Sequence, residues 1–341
     1  MRFLKNTWYV AAWAEEVSRG LFSRTLLGES VLMYRKEDGT AVAMSNRCPH
    51  RFAPLDQGQL VGDEVQCPYH GLKFDCSGKC TDNPHGAHMI PSAMTLRQYP
   101  LVERHSALWI WMGEGQPDES LIPDYSVLTQ PEKYRTMRRV MPIAAHYALV
   151  TDNILDLTHI VYVHAGGIGG TDLLENESSE TQQVGQQVWC RRKNIGVTAA
   201  PAYRMFNPGL EGIKADKHQN IRWDPPALLL LEIVHHEHQK PESQRITNYS
   251  AQMLTPETAT STHYFWSVSR DFELDNAALD TAMVAAVEKA FSQEDKPIIE
   301  AQQKMMGAAD FSALRPVLIE TDAAAMRARR VLDKLLATEA A

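Results

Sequence analysis

The chain has 341 residues, 44% hydrophobic and 22% charged, with a net charge of −8 at pH 7. This is the composition of an ordinary globular protein, and the length allows roughly two domains of about 100–200 residues. The acidic balance gives no basic footprint for nucleic acid or for a membrane surface. No apolar run approaches the roughly 20 residues of a membrane helix, and no targeting segment is visible. We therefore expect no nucleic-acid partner, no membrane and a cytoplasmic location.

The cysteine count agrees with a reducing compartment. The five cysteines are an odd number in a long chain. This favours metal ligation or free thiols over a framework of disulfide bonds.

The first part of the chain, to about residue 120, has the pattern of an all-β domain. In Ser30–Met44 the turn residues EDGT separate two strand-like runs, and a second strand pair is predicted on either side of Arg104–Ser106. The pattern changes after Ile122-Pro123-Asp124. We therefore predict two domains, residues 1–123 and 124–341.

The second part mixes helical and strand patterns. Apolar periodicity indicates a helix over 147–163, and strands are predicted at 187–192, 227–234, 247–254 and 261–268. Asp275 is the expected cap of a helix over about 276–305, and a second helix is predicted over 321–337. The fold class is therefore α+β.

Two short motifs in the β region place cysteine and histidine together. Cys48-Pro49-His50 and Cys67-Pro68-Tyr69-His70 are separated by sixteen residues. Zinc fingers group like ligands, whereas each loop here supplies one cysteine and one histidine. That arrangement suits a Rieske [2Fe–2S] cluster, in which two thiolates bind one iron and two imidazoles bind the other.

Ionisable residues also lie within the apolar run Asn153–His164. Two imidazoles and one carboxylate form the facial site of non-haem Fe(II) oxygenases. His159 and His164 are five residues apart, so they share a ligand face only if the helix distorts near 160–164 or ends there. Asp295, one turn beyond the apolar Phe291, is the candidate carboxylate, although by pattern alone it fits a solvated face equally well. Asn153 either lines the iron pocket or bonds to its own helix.

These motifs together resemble the Rieske non-haem iron oxygenases over nearly the whole chain. The closest resemblance is to the vanillate O-demethylase oxygenase group, which includes dicamba- and toluenesulfonate-attacking relatives. The residues that carry it are Cys48-Pro49-His50-Arg51, Cys67–Phe74, Asn153-x-x-Asp156-x-x-His159-x4-His164 and Phe291–Glu300.

The resemblance implies the architecture and the cofactors. A Rieske domain would precede a helix-grip-like catalytic domain with an antiparallel sheet and long C-terminal helices. Cys48, His50, Cys67 and His70 would hold the cluster, and His159, His164 and Asp295 would hold Fe(II). Asp156 would connect His159 to His70 of the neighbouring subunit in a head-to-tail homotrimer.

The resemblance also implies the reaction. A separate flavin and iron–sulfur reductase, directly or through a ferredoxin, would supply electrons from NAD(P)H. With O2, the enzyme would hydroxylate a methyl or methoxy group of an aromatic acid such as vanillate and release formaldehyde from the methoxy compound. Methyl hydroxylation of an aromatic sulfonate and ring hydroxylation are alternatives. A Rieske electron carrier and a zinc-binding structural protein are the alternatives from other classes.

Other residues have less specific interpretations. Arg204 and Arg222 could anchor a carboxylate or sulfonate, but they also fit surface ion pairs. Tyr264-Phe265-Trp266 fits either an aromatic pocket wall or a core strand. His235-His236-Glu237-His238 is rich in metal ligands, but the polar residues after it predict a solvent-exposed loop.

Overall fold

A largely antiparallel seven-stranded sheet is the main element of the second half of the chain. The protein is described by a computed structural model that covers residues 3–168, 177–206, 209, 211–240 and 245–340. Contacts divide the chain into two units. One unit contains Lys5–Ile122 and Pro256–Thr258. The other contains Phe3, Leu4 and the remaining described residues from Pro123 onward.

The first unit is built from ten strands in three small sheets. The sheets have the orders β1-β10-β9, β2-β3-β4 and β5-β6-β7-β8. The strand bounds are β1 Trp8–Trp13, β2 Phe22–Leu26, β3 Glu29–Arg35, β4 Ala41–Ser45, β5 Gln59–Val61, β6 Glu64–Gln66, β7 Lys73–Phe74, β8 Cys80–Asp82, β9 Leu101–Arg104 and β10 Ala107–Trp111.

The two hairpins expected in this unit are present. β3 pairs with β4 across the EDGT turn, and β9 pairs with β10 across His105 and Ser106. Apolar side chains such as Leu32, Val65 and Phe74 pack around the buried Cys48 and Cys67. The predicted all-β character is therefore confirmed, and the two motif cysteines belong to the core of this unit.

The second unit places helices against the large sheet, whose order is β11-β17-β16-β15-β14-β13-β12. In chain order its elements are β11 Arg135–Ile143, α1 Tyr147–Leu155, α2 Ile160–Val163, β12 Glu177–Val184, β13 Gln187–Thr198, α3 Pro201–Phe206, β14 Lys214–Asp224, β15 Leu228–Glu237, β16 Ile246–Thr258, β17 Ser261–Arg270, α4 Ala277–Glu288, α5 Lys296–Met306 and α6 Ala323–Glu339.

One continuous apolar core joins the helices to the sheet. Val150 and Ile154 of α1, Ile160 of α2 and Ala328 of α6 pack with Trp223, Leu231 and Trp266 of the sheet. A sheet needs an apolar cover on its inward face, and helices grouped on it give the α+β class. The four strands predicted in this half correspond to β13, β15, β16 and β17.

The helices differ from the sequence prediction in two places. The expected single helix over 276–305 is α4 and α5 joined by a π-helical segment, Lys289–Asp295. Its cap is Asn276, whose side chain accepts a hydrogen bond from the Leu279 N–H at 3.0 Å, rather than Asp275. The helix expected over 147–163 breaks at Asp156, which has extended backbone angles. None of the described helices is long and apolar enough to span a membrane.

Candidate metal centres and substrate cavity

Two similar tight turns carry the cysteine and histidine motifs of the first unit. The Phe52 N–H donates to the Cys48 carbonyl at 2.9 Å, and the Gly71 N–H donates to the Cys67 carbonyl at 3.1 Å. The closing residues have φ of 61° and 72°, a left-handed conformation that costs nothing for Gly71 but is unusual for Phe52. Both motif loops are therefore closed in the same way, by a hydrogen bond from the N–H four residues after the cysteine to the cysteine carbonyl.

The four motif side chains lie together. Cys48 and Cys67 are buried, whereas His50 is exposed and His70 is half-buried. The rings of His50 and His70 have their centres 4.5 Å apart. Thiols thus lie on the protein side and imidazoles on the outer side.

The donor set fits a Rieske cluster. Burial raises the pKa of the Cys48 thiol to about 11, and the adjacent Cys67 acts in the same direction. Two neighbouring buried thiols become stable thiolates when cationic iron lies beside them. Two thiolates and two imidazoles are the ligand set of a [2Fe–2S] Rieske centre.

A second group of ligands lies in the second unit, where His159, His164 and Asp295 converge. One donor atom from each lies within 4.8 Å of the others. Asp295 Oδ1 lies 3.4 Å from His159 Nε2 and 3.2 Å from His164 Nε2. Among the described residues this is the one group of three or more such side chains in this arrangement.

Local breaks in the helices create this convergence. After the extended Asp156, a 3-10 turn Leu157–His159 begins, and α2 ends at Val163 with His164 as its C-cap. The helix therefore ends at His164, one of the two possibilities stated for the histidine pair. On the opposite side the π-helical segment ends at Asp295, and such segments are frequent at functional sites.

Each imidazole is held through its other nitrogen. His159 Nδ1 lies 2.6 Å from the backbone oxygen of Asp156, and His164 Nδ1 lies 2.7 Å from Glu294 Oε2. Acceptors in these positions fix the ring orientation and leave both Nε2 atoms directed at Asp295. The arrangement fits a two-histidine, one-carboxylate site for non-haem iron.

The charges of the site are coupled. Burial would raise the pKa of Asp295, but hydrogen bonds from His159 and His164 lower it to about 2. Burial likewise opposes protonation of His164, yet its contacts with Asp295 and Glu294 raise its pKa. Asp295 is therefore an ionised carboxylate, as a metal ligand must be.

Asp156 does not touch the His159 ring through its carboxylate. Its Oδ1 accepts from the Thr158 N–H at 2.9 Å, and its Oδ2 accepts from the Thr321 hydroxyl at 3.3 Å. The contact with the ring comes from the Asp156 main chain. The expected side-chain connection to His159 is thus replaced by a backbone carbonyl.

Asn153, Glu294 and Glu300 are further polar residues of this unit, and each makes a different contact. Asn153 Nδ2 donates to Asp295 Oδ1 at 3.2 Å, so it faces the site rather than bonding only to its own helix. Glu294 supports His164, a role that its place in the charged run before Asp295 does not indicate. Glu300 accepts from the Ala144 N–H at 2.8 Å.

A cavity opens beside the three candidate ligands. It has a volume of about 860 Å³, counting the space at its mouth. Its apolar wall includes Ile160, Leu231, Tyr264 and Phe291. Tyr264 and Phe291 are stacked with ring centres 5.4 Å apart. The largely apolar lining with a few polar groups is that of sites that bind small aromatic molecules.

The sequence candidates for substrate anchoring lie elsewhere. Arg204 pairs with Glu211 at 2.8 Å, and Arg222 pairs with Asp224 at 2.7 Å. Neither lines the cavity. Both are ion-pair residues, which was the alternative interpretation.

The prediction of an exposed loop at 235–238 is wrong. His235 and His236 are buried residues of β15, 1% and 7% exposed, and His238 Nδ1 lies 2.8 Å from Asp216 Oδ1. The strand continues through these polar residues because its neighbours β14 and β16 pair with it there.

Comparison with known families agrees with the two sites. Residues 7–100 match the Rieske [2Fe-2S] domain, and residues 143–338 match the Vanillate O-demethylase oxygenase C-terminal domain. The chain belongs to the Rieske non-haem iron oxygenases of the vanillate O-demethylase group. The resemblance inferred from the motifs is therefore confirmed.

Individual relatives of this oxygenase cover its whole length. It is 36% identical to the oxygenase component of dicamba O-demethylase from Stenotrophomonas maltophilia, over 100% of both chains. It is 37% identical to the toluene-4-sulfonate monooxygenase iron-sulfur subunit TsaM1 from Comamonas testosteroni, and the match covers 99% of this chain and 98% of that one. A crystal structure of dicamba monooxygenase with non-haem iron and dicamba has a TM-score of 0.84 and 34% identity, and the match covers 100% of this chain and 99% of that one.

These findings establish the class of enzyme. The oxygenase is a component of a Rieske monooxygenase system, with a [2Fe–2S] cluster, mononuclear non-haem iron and electrons supplied by a separate reductase or ferredoxin. The electron-carrier and zinc-protein alternatives are thereby excluded.

Proposed function

We propose that this oxygenase hydroxylates the methoxy group of an aromatic acid, so that a phenol and formaldehyde are formed. Dioxygen, two electrons and two protons are consumed: one oxygen atom is inserted into a C–H bond of the methyl group, and the other leaves as water. The hydroxylated methoxy group then loses formaldehyde. The observation that carries the proposal is the aromatic cavity directly beside His159, His164 and Asp295.

The residues have separate roles in this proposal. His159, His164 and Asp295 bind iron, whose chemistry when bound is the reductive activation of dioxygen. Glu294 and the Asp156 carbonyl keep the two imidazoles in place. Asn153 holds Asp295 through its amide group. Tyr264 and Phe291 position the aromatic ring and exclude water from the reacting carbon.

We assign the cluster to residues 1–123 and the mononuclear iron to residues 124–341. Cys48, Cys67, His50 and His70 are the proposed cluster ligands. Electrons come from NAD(P)H through the reductase, and because this cofactor is supplied in the cytoplasm, we place the enzyme there.

A head-to-tail homotrimer is the proposed assembly. A second, surface-facing pocket is lined by Asp156, His159, Ile298 and Phe311. Ile298 is exposed in it, and Phe52 and Tyr69 are exposed on the two cluster turns. Apolar surfaces of this kind suit a contact between subunits. When one surface of a subunit binds a different surface of its neighbour, the subunits form a closed ring if the rotation between neighbours adds up to a full turn.

In that trimer His70 of the neighbouring subunit would approach the Asp156 carboxylate. The electron path would continue through the Asp156 main chain, whose carbonyl lies 2.6 Å from His159 Nδ1.

Methyl hydroxylation of an aromatic sulfonate is the second candidate. It is supported by the 37% identity to the toluene-4-sulfonate monooxygenase subunit. The same cavity would accept either substrate, since both have a benzene ring with a carbon to be oxidised and an anionic group.

The decisive experiment compares wild type with Asp295→Ala in iron content and turnover. Wild type should contain about three irons per chain and the variant about two, because the cluster holds two and the facial site one. Supplied with reductase, NADH and a panel of methoxybenzoates and toluenesulfonate, wild type should release formaldehyde or an alcohol, and the variant should release neither. Equal iron and equal product in both proteins would refute the proposal.

A further inference from the structure

A buried lysine on β14 pairs with no acidic side chain of the described residues. Lys217 is 3% exposed, and its Nζ lies 4.8 Å from the centre of the Tyr203 ring. This Nζ accepts or donates no hydrogen bond within the described part of the chain. Burial lowers the pKa of Lys217 to about 7. An ammonium group is costly in such a place unless an anion accompanies it.

The described residues around Lys217 do not supply that anion. The charged group that acts on it is Arg192, which adds positive charge. Arg192 is itself occupied, by the Leu157 carbonyl at 2.5 Å and by Glu177 at 2.6 Å. His235 lies opposite Lys217 on β15, and burial lowers its pKa far enough to keep it neutral.

Lys217 lies on the cavity side of the sheet. Gln219 follows two residues later on the same strand, so both side chains project from the same face, and Gln219 lines the cavity. Tyr203, which Lys217 contacts, lines it as well. Lys217 itself does not line the cavity, so the amine lies just behind this wall, against the Tyr203 ring.

Further polar atoms on this wall also lack partners. Gln219 Oε1, Asn248 Oδ1 and Ser250 Oγ are buried and form no hydrogen bond to any described residue. All three side chains line the cavity, and the remaining walls are largely apolar. Buried polar groups are normally satisfied, so a set of unsatisfied ones on one wall of a cavity suits a bound polar ligand.

We propose that Lys217, Gln219, Asn248 and Ser250 bind the anionic group of the aromatic substrate, a carboxylate or a sulfonate. The anion pairs with the Lys217 ammonium and accepts from the Ser250 hydroxyl. The amides of Gln219 and Asn248 turn their NH2 groups towards it, since an amide can present either end to a ligand. The ring then extends through the apolar part of the cavity. This inference rests on the proposed function of the cavity as the substrate site.

Binding to the iron-loaded protein tests the inference without turnover. We would measure the Kd of 4-methoxybenzoate and toluene-4-sulfonate, each beside a neutral ester, for wild type, Lys217→Met and Lys193→Met. Lys193 is the matched control, because it is an exposed lysine on the adjacent strand β13. Lys217→Met should raise the Kd of the anions about 10- to 100-fold, as expected for loss of a charged hydrogen bond.

The control variant and the neutral esters distinguish loss of the charge of Lys217 from a general loss of binding. Lys193→Met should bind all ligands as wild type does, and Lys217→Met should bind the neutral esters as wild type does. The inference is overturned if wild type binds the esters as tightly as the anions, or if Lys217→Met keeps wild-type affinity for the anions.

A measurement on wild type alone covers the case in which the variant does not fold. Calorimetry at pH 8 in two buffers of different ionisation enthalpy gives the protons taken up on binding. A lysine that is largely neutral before binding should take up a substantial fraction of one proton per anion. Binding without proton uptake contradicts the inference. Neither measurement requires product formation, so failure of the proposed reaction would be seen separately.

Discussion

His164 and Glu294 are joined by a contact of 2.7 Å between Nδ1 and Oε2, and Glu294 immediately precedes Asp295 in the chain. One short segment therefore provides a proposed iron ligand and also holds the ring of a second ligand. A carboxylate that accepts from the far nitrogen of a metal-bound histidine orients the ring and increases its basicity.

Replacement of Glu294 by Gln should weaken the mononuclear iron site and spare the cluster. The amide keeps the size of the side chain but removes its charge, so iron affinity should fall about 10- to 100-fold. Iron titration into the iron-depleted site, followed with the Rieske absorption spectrum, measures both effects. Glu300→Gln is the control, since Glu300 bonds to the Ala144 N–H and should leave iron affinity unchanged. A larger loss of iron in the control than in Glu294→Gln would contradict the assignment.

Replacement of His70 by Ala should abolish the Rieske spectrum. Two cysteines alone cannot complete the histidine-ligated iron. His85→Ala is a close control, because His85 Nε2 lies 2.8 Å from the His70 backbone oxygen and its own ring is not a proposed ligand. Survival of the normal spectrum in His70→Ala, or its loss in His85→Ala alone, would show that the ligand set is misassigned.

Replacement of Asp156 by Asn should slow product formation by orders of magnitude while both metal sites remain filled. Asn has similar size, and the backbone carbonyl that holds His159 is unchanged. What is lost is the negative charge offered to His70 of the neighbouring subunit. Single-turnover assays of pre-reduced protein measure the effect. Thr321→Val removes a neighbour of the carboxylate and keeps its charge, so it should react normally. Normal product yield in Asp156→Asn would mean that electrons take another route.

Lys217 should make stability depend on pH. Its pKa is about 7 in the folded protein, well below the 10.5 of an ordinary lysine, so between these values the unfolded chain binds more protons. The free energy of unfolding should therefore rise with pH above 7, with a contribution of up to about 1.4 kcal/mol per pH unit. Urea unfolding of wild type and Lys217→Met at pH 7, 8 and 9 tests this. Parallel pH profiles in the two proteins would exclude a buried, neutral amine.

Residue patterns predicted much of the site because its ligands occur in short, chemically specific motifs. Cys48, His50, Cys67 and His70 are separated by a spacing that few other sites use, and the structure brings their side chains together. His159 and His164 were selected for the same reason. The pattern alone does not distinguish a metal ligand from a solvated residue at Asp295, because a single acid in a charged helix looks the same whether it faces solvent or metal.

The strands with polar inward faces were not predicted. In β14 the buried Lys217 and Gln219 occupy positions that an ordinary strand fills with apolar residues, so the sequence lacks the usual alternation. His235 and His236 at the end of β15 were predicted to lie in an exposed loop for the same reason, because polar residues in a buried strand break the usual alternation. Gln219 lines the cavity, Lys217 precedes it by two residues on the same face of β14, and His235 lies opposite Lys217 on β15.

The π-helical segment Lys289–Asp295 makes the site sensitive to the number of residues as well as to their identity. The i→i+5 hydrogen bonds of this segment make a wider turn than the 3.6 residues of an α-helix. Deleting a residue between Lys289 and Glu294 without closing that wider turn would rotate every following side chain around the axis. Asp295 would then point away from His159 and His164 even though every ligand was still encoded. Length variation in this segment among homologous genes should therefore be selected against more strongly than most substitutions within it.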